Sequence, residues 1–247
     1  LNAPFGTWPK DLAWESVAPP QGTMPLSLGC HGRVDRLLEH GVVTKRYHDA
    51  EEAERIWNIT NLAGECSVAC IGRLFECGRV YGICMPIETP IDPENIGTKE
   101  ERIHIIYQLR DLVTELHKKR IIHGDIKPQN LLMCSDNRVR FCDFDNASIE
   151  GDGFATTDVS FPYCTTYRAR NDEKPMTLAE DIYAMGISMW HLYTGRLPLI
   201  NGTEPDAELN GFLVDYTFAG FLSDMTLIDD PDIASLINTS LAAGPNR

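Results

Sequence analysis

The 247-residue chain has no apolar run long enough to cross a bilayer. Its longest apolar stretch, Ile182 to Gly195, is too short and contains His191. Residues Leu1 to Trp14 lack the basic and apolar regions of a secretory leader, so none is expected. The start at Leu1 rather than Met fits a domain excised from a longer chain. Positive charge is scarce: 22 Lys and Arg against 36 Asp and Glu leave a net charge of -14. That balance argues against nucleic-acid or anionic-membrane binding through bulk charge. It reads as a solvated acidic surface, with a mild lean towards basic partners. The eight cysteines, Cys30, Cys66, Cys70, Cys77, Cys84, Cys134, Cys142 and Cys164, include no CxxC pair. Most lie in apolar, strand-like runs, so buried free thiols in a reducing, cytoplasmic compartment are expected rather than disulfides or zinc. There is no internal repeat and no low-complexity segment. Oligomeric state leaves no signature.

What is present suffices for one large domain or two small lobes, with 43% hydrophobic and 23% charged residues. Residues 1–25 mix prolines, glycine and scattered aromatics and read as an irregular lead-in. Leu26–Leu28, Arg33–Leu38 and Val42–Tyr47 read as strands. Asp49 to Ala63 reads as a helix with Ala53, Ile56, Ile59 (or Trp57) and Leu62 on one face. Ala69–Glu76 and Val80–Ile87 are further strands, and Pro86, Pro90 and Pro93 punctuate a linker. Thr98 and Glu101 form a capping box opening a helix with Ile103, Ile106, Leu109, Leu112 (or Val113) and Leu116 as its stripe. Leu131–Met133 and Val139–Cys142 read as a hairpin turning at Ser135–Asn137. A polar loop spans Ile149 to Phe161. A second capping box, Thr177 with Glu180, opens a nearly all-apolar helix from Leu178 to Thr194, predicted to be buried. Strands in the first 90 residues and helices beyond predict an α+β chain of two lobes: an N-terminal lobe over 26–88 and a C-terminal lobe over 89–247.

The chemistry concentrates in His123-Gly124-Asp125-Ile126-Lys127-Pro128-Gln129-Asn130 and in Asp143-Phe144-Asp145. Phosphoryl transfer needs a carboxylate to orient the attacking hydroxyl, ligands for metal ions on the phosphates, and a cation for developing charge. Asp125 suits the first task and Lys127 the third. Asn130 and Asp143 offer the hard oxygens that magnesium prefers. His123 reads as a structural histidine rather than an acid or base.

At these residues the sequence resembles the eukaryotic protein-kinase family, and the resemblance extends over nearly the whole chain. His123 to Asn130 resembles the H-R-D-x-K-P-x-N catalytic loop, and Asp143 to Asp145 the D-F-G metal motif. Val42-Val43-Thr44-Lys45 resembles the V-A-I-K strand. Gly29-Cys30-His31-Gly32-Arg33-Val34 resembles the later part of the glycine-rich loop. The resemblance implies a two-lobed kinase fold using ATP and Mg2+. It implies Lys45 on the α/β-phosphates, with Gly29 and Gly32 over the phosphates. Adenine is expected against Val34, Val43 and Leu132, and against the hinge at Met85 and Ile87, within Met85 to Glu88. The helix glutamate expected to pair with Lys45 is Glu54, with Glu51 and Glu52 as rivals. Cys164 to Ala169 resembles the substrate-binding end of the activation segment, and Asp181 to Gly186 the D-x-W-S-x-G start of the buried helix. Lys127, two residues past Asp125, is the serine/threonine form, implying a protein substrate with a Ser or Thr acceptor. Bare polar-loop threonines such as Thr156, Thr157 and Thr165 are ordinary loop residues first and phosphosites second.

The departures are specific. Ser27 stands for the first loop glycine, Gly124 for the arginine of H-R-D, and Asp145 for the glycine of D-F-G. Arg170 and Asn171 replace Pro-Glu of A-P-E, which would leave Arg247 without its usual mate. The chain also stops before the last helix of a full kinase lobe. Losing the H-R-D arginine argues against switching by activation-loop phosphorylation. Two other readings compete with an active Ser/Thr kinase: a kinase-like small-molecule phosphotransferase, favoured by Gly124 and Asp145, and a pseudokinase acting as an interaction module.

Overall fold

The structure, a computed structural model, describes residues 11–13, 18, 24–28, 31–38, 41–156, 158, 160–165, 168, 174–198 and 224–244. Two compact units divide the chain, Leu1–Thr89 and Pro90–Arg247.

The first unit is a twisted sheet with one helix against it. The strands are β1 (Asp11–Ala13), β2 (Ser27–Leu28), β3 (Gly32–Leu37), β4 (Val42–Tyr47), β5 (Gly72–Glu76) and β6 (Arg79–Pro86), in the order β1-β5-β6-β4-β3-β2. All neighbours are antiparallel except β1 on β5. β4 is buried on both faces, Val42 and Thr44 on one and Lys45 and Tyr47 on the other, as befits a central strand. Helix α1 (Ala50–Ala63) starts where the Asp49 carboxylate accepts the Glu52 amide at 3.1 Å. It packs on β4 and β6. Ala53, Ile56 and Ile59 are buried as expected, but Leu62 is 50% exposed. The stripe closes on Thr60 and Ala63 instead. Residues 69–71 lie outside the strand, so β5 begins later than the apolar run suggested.

In the second unit, helix α2 (Lys99–Lys118) carries both bonds of its capping box: the Thr98 amide donates to Glu101 Oε2 at 2.9 Å, and the Glu101 amide to Thr98 Oγ1 at 3.1 Å. Its buried stripe is Ile105, Ile106, Leu109, Leu112, Val113 and Leu116, with Ile103 only half-buried. The strand β7 (Thr89–Pro90) straddles the division between the units. Next come β8 (Ile121–Ile122), β9 (Leu131–Met133), β10 (Val139–Phe141) and β11 (Ser148–Ile149). β9 and β10 form the expected hairpin, Leu131 opposite Phe141, with Asn137 in the left-handed region at the turn (φ 60°). β11 returns antiparallel to β8. The β8–β11 pairing joins the two ends of the stretch 121–149, with the β9–β10 hairpin between them. Helix α3 (Leu178–Thr194) is buried along most of its length, as its lack of a polar stripe requires. It packs on α2 and on α4 (Pro231–Ala242).

Among the described residues no helix is long and apolar enough to cross a membrane. No disulfide joins the described cysteines. Cys66, Cys84 and Cys134 are buried and Cys70, Cys142 and Cys164 half-buried, but Cys77 is exposed. The expectation of burial fails at Cys77 because it occupies the β5–β6 turn, with φ 51°. Cys30 lies outside the described residues.

Candidate active site

In the first unit, Lys45 is buried on β4, opposite Val34 on β3 and Ile83 on β6, its ammonium 5.4 Å from the centroid of the Tyr47 ring. Val43 lies opposite Met85, and the Ile87 amide donates to the Gly41 carbonyl at 3.1 Å. Gly32 sits where β3 meets β4 so closely that a Cβ would fall 2.0 Å from the Arg46 carbonyl oxygen. Its glycine identity thus has a packing reason beside any phosphate-binding one. Glu54 points off the exposed side of α1 and forms no ion pair with another described residue. Glu52 is half-buried one turn before Ile56, and its Oε1 is 2.7 Å from His31 Nδ1. Gly29 lies outside the described residues.

In the second unit, the catalytic-loop candidates are held from below by one carboxylate. Asp181, 1% exposed in the first turn of α3, accepts the His123 amide at 2.8 Å and the Gly124 amide at 2.9 Å. His117 Nε2 lies 3.1 Å from the same carboxylate. The Ser188 hydroxyl, two turns further along α3, lies 3.2 Å from the Ile126 carbonyl. The loop is therefore clamped to the buried helix at both ends of His123–Ile126. His123 is fully buried, its ring 4.5 Å from that of Phe141 and 4.9 Å from that of Phe144. Burial pulls its imidazole pKa down, against the opposing pull of Asp181, Asp125 and Asp143, so it is neutral and structural.

Above this floor the polar residues converge. Asp125 Oδ2 receives both Lys127 Nζ at 2.8 Å and Asn130 Nδ2 at 2.8 Å. Asn130 Nδ2 also donates to the Asp125 carbonyl at 2.8 Å. With its nitrogen so engaged, Asn130 keeps its amide oxygen for a cation. Lys127 Nζ makes a second bond, to Ser160 Oγ at 2.7 Å. The Cys142 amide donates to the Asn130 carbonyl at 2.9 Å, which sets Asp143 beside Asn130 at the end of the β9–β10 hairpin. Leu132 is half-buried on β9.

Asp143 adopts φ 63°, a left-handed conformation that Asp tolerates better than most residues and that is typical of functional sites. Asp145 does not share it. The position that is glycine in the family motif therefore needs no glycine here, and the buried Asp145 side chain introduces no backbone strain. Gly124 is the opposite case. It has φ 77°, and a Cβ there would lie 2.5 Å from the Asn146 carbonyl oxygen.

The segment after Asp145 has buried tethers of its own at Thr156, Thr165 and Arg168. The Thr156 hydroxyl is 2.9 Å from Asn146 Oδ1 and accepts the Asp158 amide at 3.1 Å. Thr165 Oγ1 accepts the Arg168 amide at 3.1 Å. Both threonines are buried anchors. Arg168, 1% exposed, donates its guanidinium to the carbonyls of Thr156 and Lys174. A small cavity lies against the catalytic loop, lined by Asp125, Ser160, Tyr163, Cys164, Thr165 and Glu180 among others. Burial pushes the Cys164 thiol up to about 11, so it is no nucleophile at neutral pH. Thr157, Thr166, Tyr167, Ala169, Arg170, Asn171 and Arg247 lie outside the described residues.

The profile of the protein kinase domain matches residues 84–221, more than half of the chain. The chain belongs to the protein kinase domain family. This kinase domain is 28% identical over 193 residues to death-associated protein kinase 2 of Homo sapiens, covering 74% of this chain and 45% of that protein. It is 25% identical over 188 residues to mitogen-activated protein kinase kinase kinase dlk-1 of Caenorhabditis elegans, covering 71% and 20%. It is 34% identical over 103 residues to the probable serine/threonine-protein kinase PknB of Lactococcus lactis, covering 40% and 16%. The kinase domain thus spans less than half the length of these relatives. Protein kinases as a family use ATP and Mg2+ and act on protein substrates. A β-sheet N-terminal unit followed by a helical C-terminal unit is the α+β architecture that the sequence predicted.

Sequence reasoning missed Ser160, Tyr163, Asn146 and Arg168. Ser160 and Tyr163 act through contacts 33 and 28 residues away, whereas Asn146 and Arg168 act through contacts inside their own segment; Arg168 lies in the stretch that resembles the activation segment, which gave no sign of its backbone bonds. His191 was visible only as a polar interruption of an apolar run.

Proposed function

We propose that this kinase domain transfers the γ-phosphoryl group of MgATP to serine or threonine hydroxyls of protein substrates. The observation that carries this reading is the convergence of Asp125, Lys127 and Asn130. One carboxylate oxygen of Asp125 organises the lysine and the amide, and the other makes no bond to a described residue. That oxygen is the acceptor an incoming hydroxyl requires. Asp125 orients the hydroxyl and takes its proton. Lys127 retains one donor for the equatorial oxygens of the transferring group. Asn130 and Asp143 would hold magnesium, and two protein oxygens suit an ion that keeps several waters and binds chiefly through phosphates. Magnesium, when bound, neutralises charge on the phosphate oxygens. In the first unit, Lys45 is proposed for the α/β-phosphates, and Val34, Val43, Met85 and Ile87 for adenine. The free thiols support a reducing, cytoplasmic setting.

The test is incubation with labelled MgATP and a mixture of basic proteins, beside Asp125→Asn and Asp143→Asn. Label is expected on protein serine or threonine with the wild type, and at least roughly a hundred-fold less with either variant. Full activity of Asp143→Asn removes the metal assignment. A wild type that labels no protein removes the protein-kinase reading and leaves a small-molecule phosphotransferase or an interaction module, which ATP consumption with small-molecule acceptors separates.

A further inference from the structure

Lysine carries three donors on a flexible four-carbon stem, so two fixed partners are needed to aim the third. At Lys127 one partner is Asp125 Oδ2 at 2.8 Å and the other is Ser160 Oγ at 2.7 Å, 33 residues downstream. We propose that Ser160, through its unmodified hydroxyl, is the positioning residue that aims the Lys127 ammonium; the proposal rests on reading Asp125 and Lys127 as a phosphoryl-transfer centre.

The serine is itself fixed. The Tyr163 amide donates to the Ser160 carbonyl at 2.8 Å, closing the turn that presents Oγ. The Tyr163 hydroxyl is 2.7 Å from His191 Nδ1, deep on α3. Burial raises the phenol's pKa and lowers that of the imidazole to about 4, so at neutral pH a protonated phenol donates to a neutral ring. A line of hydrogen bonds thus runs from the buried helix through Tyr163 and Ser160 to Lys127 and on to Asp125. It uses only neutral groups until it reaches the lysine. Cys164 and Thr165 line the same cavity, but the thiol is only a weak donor and Thr165 Oγ1 is engaged by the Arg168 amide.

Ser160→Ala is expected to lower kcat for protein phosphorylation roughly ten-fold while KM for ATP stays within about two-fold of wild type. Ser160→Thr, which keeps a hydroxyl, is expected to recover most of the loss. A second readout needs no turnover: acylation of Lys127 by an amine-reactive ester, mapped by peptide mass spectrometry without nucleotide. It is expected to rise several-fold in Ser160→Ala against Lys118 in the same sample. Unchanged Lys127 labelling overturns the positioning role whatever the kinase assay reads, as does raised labelling with unchanged kcat or a threonine variant no better than alanine. Raised labelling in a protein that phosphorylates no acceptor sustains the lysine contact and removes the phosphoryl-transfer reading instead.

Discussion

Gly124 and Asp145 both depart from the family pattern, and the backbone treats them differently. At Gly124 the left-handed conformation and the Asn146 carbonyl 2.5 Å from a would-be Cβ both exclude a side chain. Left-handed backbone costs an L-residue about 1–2 kcal/mol before any clash. Gly124→Ala is expected to lower Tm by roughly 5 °C or more for a domain of this size, read by calorimetry. An unchanged Tm would show that residues 145–147 can yield. Asp145 carries no such penalty, so its presence is not by itself a sign of a collapsed site. The residues proposed for the catalytic loop stand out in the sequence because phosphoryl transfer dictates their types and spacing. Glu54 was a choice made on spacing alone. Burial instead puts Glu52 on the inward face of α1, a distinction that the pattern around Ala53 and Ile56 held in principle.

Elements position these residues, and the first turn of α3 does so most directly. The Thr177 amide and hydroxyl reach Glu180 Oε2 at 2.7 Å and 2.9 Å, and Asp181 follows one residue later to hold the amides of His123 and Gly124. Thr177→Ala removes the cap and leaves the buried Glu180 carboxylate short of a partner, at a cost of about 1–2 kcal/mol. We expect a Tm lower by roughly 3–6 °C. Hydrogen exchange should also quicken at the His123 and Gly124 amides, since the loop is hung from this turn. Thermal loss without faster exchange there would separate the cap from the loop. Both capping boxes and the hairpin were readable in the sequence because they are local: four residues contain each box, and the hairpin lies within Leu131 to Phe141. The contacts that fix the catalytic loop were not, since Asp181 reaches back 57 and 58 residues. The end of the α1 stripe at Ala63 rather than Leu62 was likewise set by the sheet across from it.

For the molecule as a whole, acid is the informative stress. His191 is buried with its pKa lowered to about 4, and burial lowers His123 in the same direction. The unfolded chain binds these protons near pH 6.5 and the folded one resists them, so stability is complete above pH 6.5. It is lost as pH falls towards 4, by at most on the order of 3 kcal/mol for His191. Urea unfolding at pH 7 and pH 4.5 should show this loss in the wild type and a clearly smaller one in His191→Asn. Equal losses would mean that carboxylates dominate the acid limb. Composition indicated an acidic chain and the order of strands and helices an α+β one, but neither gave the burial of His191, since exposure is a property of the packed state. The same silence covered Arg168, whose buried guanidinium grips two backbone carbonyls from within the segment that also holds Thr156, Ser160 and Thr165. A segment fastened at these described residues by its own interior chemistry loosens only as the packing around them loosens.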